Sequence, residues 1–286
     1  MIRTLPLFAL TLIPALALAD EPTRADKGSF HLFNPTPKEL MREFSTDRPD
    51  KTESAYSVDA GHFQFETDIL IFSSDKTSDA GVETKTSGLG IMASNLKIGL
   101  TNDIDFQAII TPYATAKAEA TGAPAQEFKG FGDTVLRLKT NLFGNDGGPA
   151  ALAVMPFVNL PTNSGGLGHK LLEGGIIVPF ALSLPSDWNM GAMLQWNRAK
   201  NEADDAFHHE WVSSITFGHD LIGDLAGYAE FWNLSSTESS STWTATLDFG
   251  LTYEVVKNVQ LDAGMNVGIT ESADDLNPFL GISALF

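Results

Sequence analysis

The sequence predicts an all-β protein, an antiparallel transmembrane up-and-down β-barrel of about twelve strands. Apolar and polar residues alternate over segments of about ten residues. Long and short connections follow one another along the chain, and the last residue is aromatic, Phe286. Together these three observations predict a closed sheet with one face in contact with lipid.

The clearest alternation lies in residues 243–269. Every second residue is apolar over 243–253 and again over 259–269, and the residues between are Thr, Asp, Gly, Gln and Asn. A period of two predicts two strands with one apolar face each, joined at Lys257 and Asn258. Strands of soluble sandwiches are usually about five or six residues long, whereas a tilted membrane strand needs about nine to eleven. The pattern therefore favours a membrane barrel.

The first sixty residues differ from the rest. Residues 1–19 are predicted to be a signal peptide, because Arg3 precedes an apolar run that ends in a small-x-small cleavage site, Ala17-Leu18-Ala19. Residues 20–60 are polar and aperiodic, and we expect an N-terminal periplasmic segment or a plug in the barrel mouth. A disordered tail is the alternative. Residues 61–286 are predicted to form the transmembrane barrel.

Composition narrows the function classes. The 286 residues carry a formal charge of −18, which argues against nucleic acid as a partner because phosphates require clustered Lys and Arg. The chain has no cysteine, so stability must come from burial or from closed β pairing. A mean hydropathy of −0.02 excludes a helical membrane protein but agrees with a barrel, whose apolar residues alternate with polar ones.

Connection length supports the topology. The predicted short connections are 101–103, 144–148, 185–187, 220–224 and 257–258. The predicted long ones are 73–87, 114–129, 161–170, 198–208, 235–241 and 270–277. Outer-membrane barrels have tight periplasmic turns at one rim and surface loops at the other. We therefore expect a protein of the Gram-negative outer membrane, surrounded by lipid and lipopolysaccharide, with both termini in the periplasm. Phe286 is expected to be its signal to the outer-membrane assembly machinery.

The alternation also predicts the lumen. If the apolar residues of each strand face lipid, the intervening residues face inward. On the first strand the residues expected to face lipid are Phe63, Phe65, Thr67, Ile69 and Ile71. The candidate lumen-lining residues are Glu66, Asp68, Lys97, Arg137, Lys139, Glu173, Glu210, Glu230, Asp248, Glu254 and Asp262. Basic and acidic walls would then face each other across a channel of about 12 Å backbone radius, with a transverse field. The alternative is a closed interior network in which these charges neutralise one another.

Four charged residues of the N-terminal segment are candidates for a plug or gate: Asp47, Arg48, Asp50 and Lys51. Arg48 and Lys51 are expected to pair with lumenal acids such as Glu66 and Asp68. Such pairing would place the segment in the periplasmic mouth.

Other motifs carry little chemistry. His208, His209 and Glu210 are predicted to be a solvated rim cluster rather than a metal site, since the sequence places no third ligand. The glycine-rich stretch 165–170 lacks the spacing of a phosphate loop and is predicted to be a surface loop. The acid pairs 204–205 and 274–275 are expected in outer loops, solvated or bridging divalent cations to lipopolysaccharide.

No catalytic set can be assembled from the sequence. Most histidines fall outside the predicted strands or near their ends, so no Ser-His-Asp arrangement is predicted. We expect no enzyme activity, cofactor or metal. A rim-site hydrolase remains the remoter alternative.

Several segments resemble a known family: 45–54, 58–66, 130–139, 141–148, 155–161, 173–179 and 273–279. As a set they are similar to the outer-membrane transporters grouped as the MetA-pathway of phenol degradation family, over most of the mature chain. The family often has Pro at the position of Ala55 and Arg at that of Leu285. The resemblance implies an outer-membrane barrel and, more loosely, passage of small aromatic compounds. We predict passive passage of small solutes, with a non-conducting structural or adhesive barrel as the alternative.

Overall fold

The structure is a computed structural model that describes residues 26–79, 81–201, 204, 206–239 and 241–286. The predicted signal peptide and Asp205 lie outside the described residues. Within them, the only helical element is a 3-10 turn, Lys38–Leu40. No helix in these ranges is long and apolar enough to span a membrane.

All strands belong to one antiparallel sheet. They are β1 (Phe63–Asp79), β2 (Val82–Gly99), β3 (Ile104–Ile110), β4 (Tyr113–Ala120), β5 (Gln126–Gly130), β6 (Thr134–Phe143), β7 (Ala150–Leu160), β8 (Glu173–Ser183), β9 (Trp188–Lys200), β10 (Phe207–Ile222), β11 (Leu225–Ser236), β12 (Thr244–Val256), β13 (Val259–Gly268) and β14 (Leu276–Leu285). Because β1 pairs with both β2 and β14, the sheet closes into a barrel.

Two positions in the barrel wall are filled by interrupted strands. β3 pairs with residues 94–99 of β2 and β4 pairs with residues 84–91, so β3 and β4 continue one another. β5 and β6 pair with β4 and β3 in the same way. Pro112 lies at the first interruption, where its missing N–H removes a ladder hydrogen bond. The barrel therefore has twelve strand positions, which confirms the predicted fold.

The connections sort to two ends. The short-turn end carries 100–103, 144–149, 184–187, 223–224 and 257–258, together with the start of β1 and the end of β14. The opposite, long-hairpin end carries the β1–β2, β4–β5, β7–β8, β9–β10, β11–β12 and β13–β14 connections, whereas the β3–β4 and β5–β6 connections lie within the wall. Stretches 73–87 and 114–129, predicted to be loops, are instead largely strand, in the β1–β2 and β4–β5 hairpins. These two stretches lack an apolar face because they extend beyond the membrane. There, backbone hydrogen bonds between the strands are sufficient to maintain the hairpin.

Apolar side chains cover the outer face of the wall. Leu138 and Leu247 are exposed there, as predicted, and Leu194 is 63% exposed. In a membrane these side chains contact lipid. Phe65 also faces outward, and its ring stacks on that of Phe286 at 5.9 Å.

Strand β1 departs from simple alternation well inside its length. The register of β1 against β14 shifts between Asp68 and Leu70, so Ile69 is a bulge residue. Beyond the bulge Ile71 pairs with Phe279 on the lumen side. The prediction that Ile71 shares the lipid face with Phe65 is therefore wrong, because one extra residue reverses the facing of all that follow.

Candidate functional site in the lumen

Residues 42–59, the inner segment, form a loop inside the barrel. Both of its ends lie at the short-turn end, where Nη2 of Arg42 donates to the carbonyl of Asn102 over 2.9 Å and the backbone N–H of Arg42 donates to Asp59 over 2.8 Å. Between these ends, the hydroxyl of Thr52 lies 2.6 Å from that of Ser214 on β10. The inner segment therefore enters the pore and returns to the same rim.

Acidic residues of the inner segment contact a basic part of the wall. The carboxylate of Asp47 lies 2.5 Å from Nζ of Lys97 on β2 and 2.7 Å from Nζ of Lys139 on β6. Glu53 lies 2.5 Å from Nη1 of Arg137. Lys97 and Lys139 are 3% and 1% exposed, so their charges are removed from water and need these partners.

Glu66 on β1 holds the turn of the inner segment. Its carboxylate accepts backbone N–H groups of Asp47 at 2.9 Å and of Arg48 at 3.0 Å, and it also pairs with Lys97. Hydrogen bonds from backbone N–H groups to a buried carboxylate fix position as well as charge.

Basic residues of the inner segment contact the acidic part of the wall. Arg48 lies 2.5 Å from Asp68 on β1 and 2.5 Å from Asp262 on β13. Nζ of Lys51 lies 3.2 Å from Asp248 on β12. Of the pairings expected from sequence, Arg48 with Asp68 is present, whereas Lys51 contacts Asp248 instead of Glu66 or Asp68.

Glu230 on β11 completes this side. It accepts the backbone N–H of Lys51 at 2.8 Å and the hydroxyl of Thr52 at 2.5 Å. Burial and the negative charge of Glu230 raise the pKa of Asp50 well above its ordinary value. The lumen thus has a basic and an acidic wall, and the inner segment, rather than the opposite wall, supplies most of the counter-charges.

A second charged group, the rim cluster, fixes the entrance at the short-turn end. Asp146 lies 2.7 Å from Nζ of Lys27 and 3.1 Å from Nη1 of Arg42, and Lys27 also contacts Asp59 at 3.3 Å. Burial alone would raise the pKa of Asp146. The hydrogen bonds from Lys27 and Asn102 and the charge of Arg42 outweigh burial and lower that pKa.

Beside the rim cluster is a cavity of about 770 Å³, the vestibule. Phe44 and Tyr56 of the inner segment line one side of it. Gly147, Ser183 and Asn189 of the wall line another. The vestibule opens at the short-turn end, where the predicted periplasmic mouth lies.

The remaining lumen-lining candidates lie away from the inner segment. Glu173 accepts the backbone N–H of Lys200 at 3.0 Å near the long-hairpin end. Glu210, in the same region, accepts from Asn197 at 3.0 Å. Glu254 departs from its predicted role: it is exposed at the rim, two residues before the end of β12, and accepts the backbone N–H of Asn258 in the β12–β13 turn.

Sequence reasoning missed an apolar part of the lumen. The apolar lumen cluster consists of Met155, Ile177, Met193 and Val212, all buried, with Phe157, Trp232 and Leu234 packed against them. Met193 pairs directly with Ser214, whose side chain contacts Thr52, so this set faces inward. The rule that every apolar residue faces lipid is therefore wrong on β7–β11. Met155 and Ile177 lie in nearly continuous apolar runs. Such runs indicate a strand with apolar residues on both faces, so the sequence did contain a sign of this cluster.

The histidine motif does not assemble a metal site. Nε2 of His208 lies 3.3 Å from Glu210 and its Nδ1 lies 3.0 Å from Asn201, whereas His209 stacks on Trp196 on the opposite face of the strand. Among the residues that the structure describes, no group of three or more His, Asp and Glu side chains is arranged to hold a metal ion.

The glycine-rich stretch belongs to the connection between β7 and β8, which folds back onto the wall. Phe131 and Ser164 exchange two hydrogen bonds there, and Asp133 accepts from Asn163 and from His169. Burial would raise the pKa of Asp133, but these hydrogen bonds lower it. The stretch is thus an anchored outer connection rather than a phosphate loop.

Comparisons with known proteins agree with this architecture. The sequence profile of the family described as "Putative MetA-pathway of phenol degradation" matches residues 46–286. No curated protein matches the chain. The translocator domain of the autotransporter NalP from Neisseria meningitidis is similar in structure, with a TM-score of 0.54 at 8% identity over 78% of this chain and 88% of that one.

Two further barrels superpose less closely. The NanC porin gives a TM-score of 0.46 at 9% identity, covering 75% of this chain and 98% of that one. A variant of the monoaromatic hydrocarbon channel TodX gives 0.42 at 11% identity, covering 78% and 88%. The fold is that of Gram-negative outer-membrane barrels, and the outer-membrane location predicted from sequence is confirmed.

Proposed function

The chain belongs to the family of the MetA pathway of phenol degradation, and we propose on that premise that it is an outer-membrane channel for the passive passage of small aromatic solutes. The family description supports the aromatic class. A closed barrel whose lumen is lined by both charged and apolar residues supports passage without a chemical step.

The apolar lumen cluster is the observation that carries the proposal. Met155, Ile177 and Met193 are buried against Phe157, Trp232 and Leu234, and an aromatic ring that replaced part of this packing would keep them out of water. Burying about 100 Å² of a small ring would stabilise the bound solute by about 2–3 kcal/mol. That is enough to concentrate a solute in the lumen and weak enough to let it leave.

The inner segment acts, in this proposal, as a partial plug. Asp47, Arg48, Asp50 and Lys51 belong to it, and three of the four make ion pairs with the wall. Ion pairs on opposite sides of the pore hold the segment across the lumen. Free diffusion of large or strongly hydrated solutes would therefore be prevented.

Solute-driven swelling of proteoliposomes tests this function. The probes are phloroglucinol, a neutral trihydroxybenzene, and myo-inositol, a polyol ring of the same ring size. We expect the purified full chain to accelerate entry of phloroglucinol above that in protein-free liposomes, and to accelerate it more than entry of myo-inositol. Equal acceleration of both would indicate a general pore, and the aromatic class would be wrong.

A second candidate function is a non-conducting structural or adhesive barrel. The observation that favours it is the occupied lumen, because the inner segment supplies counter-charges to both walls. Such a barrel would accelerate entry of neither probe. Swelling at the protein-free rate with both probes would therefore favour this function over the channel.

A further inference from the structure

We propose that solutes pass the inner segment along the wall formed by β7, β8 and β9, through the contact of Ala55 and Tyr56 with Ala151, Ala153 and Ala181, while the rest of the segment stays docked. This inference rests on the proposed channel function and adds a route and a gate to it. It assigns to five residues a role in determining which solutes pass.

The docking of the inner segment is strongly asymmetric. Its side-chain hydrogen bonds and ion pairs with strands go to β1 and β2, to β3 and β6, and to β10 through β13. In the part of the chain that the structure describes, β7, β8 and β9 contact it through apolar groups. Ala55 is 1% exposed and packs on Ala151 and Ala153, and Tyr56 and Ala181 pack against the same group.

An alanine contact separates more readily than a buried ion pair. Parting Ala55 from Ala153 exposes methyl groups and breaks one neutral hydrogen bond, from Asn141 to the carbonyl of Ala55, whereas moving Arg48 away from Asp262 would leave a buried charge without a partner. Alanine side chains are also the smallest apolar side chains. A small shift of the inner segment away from them therefore opens a gap between segment and wall. The inner segment can therefore yield on this side alone.

The alanine contact lies between the vestibule and the apolar lumen cluster. On β7, Ala153 is followed by Met155 of the apolar lumen cluster, two residues further along the same face. On β8, Ala181 is followed in the other direction by Ser183, which lines the vestibule. Tyr56 belongs to both the alanine contact and the vestibule lining. The wall from Met155 to Ser183 thus forms a continuous strip that carries no charge.

The uncharged strip indicates the class of solute. A charged group would lose hydration beside alanine and methionine side chains without gaining a partner. A flat neutral ring loses little hydration and is thin enough for a gap between small side chains. The route therefore selects neutral, planar molecules, and the width between Tyr56 and Ala153 limits their size.

A tether of the inner segment to β10, the strand next to the β7–β9 wall, tests the route. Thr52 and Ser214 have hydroxyl oxygens 2.6 Å apart, and the chain has no native cysteine, so the double variant Thr52→Cys/Ser214→Cys offers one disulfide between segment and wall. We expect phloroglucinol entry into proteoliposomes to differ less than twofold between the oxidised and the reduced form of this variant. Loss of entry on oxidation, with recovery on reduction, would overturn the route and leave the channel function standing.

A blocking substitution tests the gate independently. Ala153→Phe is expected to lower phloroglucinol entry at least tenfold, and Tyr56→Ala to raise it. The matched control is Ala229→Phe, which adds the same ring to the exposed outer face of β11 and should leave entry unchanged. Unchanged entry in folded Ala153→Phe barrels would overturn the route. Absence of entry in the unaltered chain would overturn the route together with the channel function.

Discussion

Arg48 and Asp262, 214 residues apart in sequence, form a bidentate ion pair inside the barrel. Nη2 of the guanidinium lies 2.5 Å from Oδ1 and Nε lies 3.2 Å from Oδ2. Two parallel hydrogen bonds fix orientation as well as distance. Since Nη1 of Arg48 also contacts Asp68, this one side chain joins the inner segment to β13 and to β1.

Separate removal of either partner should loosen the inner segment. Arg48→Met leaves Asp262 without its partner, and Asp262→Asn removes one of two counter-charges from Arg48, so each change should lower the free energy of segment opening by about 3 kcal/mol. The double variant should lose clearly less than the sum of the two. Hydrogen exchange of residues 42–59 measures this opening. Strictly additive losses would show that the pair does not couple.

Gly281 provides a steric test of the same contact. A Cβ at this position would overlap the guanidinium of Arg48, so Gly281→Ala should displace that side chain and raise hydrogen exchange in the inner segment. Gly218→Ala is the matched control, because the nearest atom to its new Cβ is 3.8 Å away. Equal exchange in both variants would contradict the role of Gly281 in leaving space for Arg48.

Deletion of residues 20–60 should raise ion conductance. The inner segment fills part of the pore and neutralises its walls, so its removal widens the aqueous path and exposes wall charges to solvent. Single-channel recording in planar bilayers compares the deletion with the full chain. Unchanged conductance would exclude a plug.

The apolar lumen cluster should respond to a polar substitution of similar size. Ile177→Thr should slow phloroglucinol entry about fourfold, which corresponds to loss of about 0.8 kcal/mol of apolar contact. Its neighbour Ile176 is 41% exposed on the lipid face, and Ile176→Thr serves as the control. If both variants slowed entry equally, the effect would come from barrel stability and not from the lumen.

The rim cluster should open in acid. The pKa of Asp146 is lowered from its ordinary 3.8, so the contribution of this carboxylate to docking is fully present above that pH. It is lost as the pH falls through the lowered pKa. Proteolytic nicking of residues 26–44 should therefore increase as the pH falls below about 3.8.

A variant separates Asp146 from the other carboxylates that acid protonates. Asp146→Asn should produce at neutral pH a large part of the nicking that the unaltered chain shows in acid. Asp103 lies in a neighbouring short turn and accepts hydrogen bonds from Asn102 and Asn145 but makes no ion pair among the described residues, so Asp103→Asn is the control. Nicking of Asp146→Asn at the unaltered rate would show that another group holds the rim.

The barrel was predictable because its strands obey a local rule. Leu247 faces lipid and Asp248 faces the lumen, and such alternation is readable over a few residues without knowledge of the fold. The rule fails at Ile71, since a bulge of one residue cannot be predicted from the pattern of apolar and polar residues. It fails again at Met155 and Ile177, because alternation distinguishes two faces only where one of them is polar.

The site was less predictable than the wall. Charges at Arg48 and Lys51 indicated that the N-terminal segment needs acidic partners, but the choice of Asp262 and Asp248 depends on how strands distant in sequence are placed around the barrel. The role of Ala55 depends on its position opposite Ala151 and Ala153. An alanine in a polar segment carries no local signal of such a contact.

The seam between the first and last strands has a consequence for experiments on membrane insertion. The carbonyl of Phe286 lies 2.9 Å from the His62 ring and accepts the backbone N–H of Phe63, while its own N–H donates to Phe63 over 2.8 Å. His62 follows the inner segment by only a few residues. Trimming the C-terminal residue would thus disturb the anchor of the loop that occupies the pore, and altered permeability after such trimming would not by itself report defective assembly.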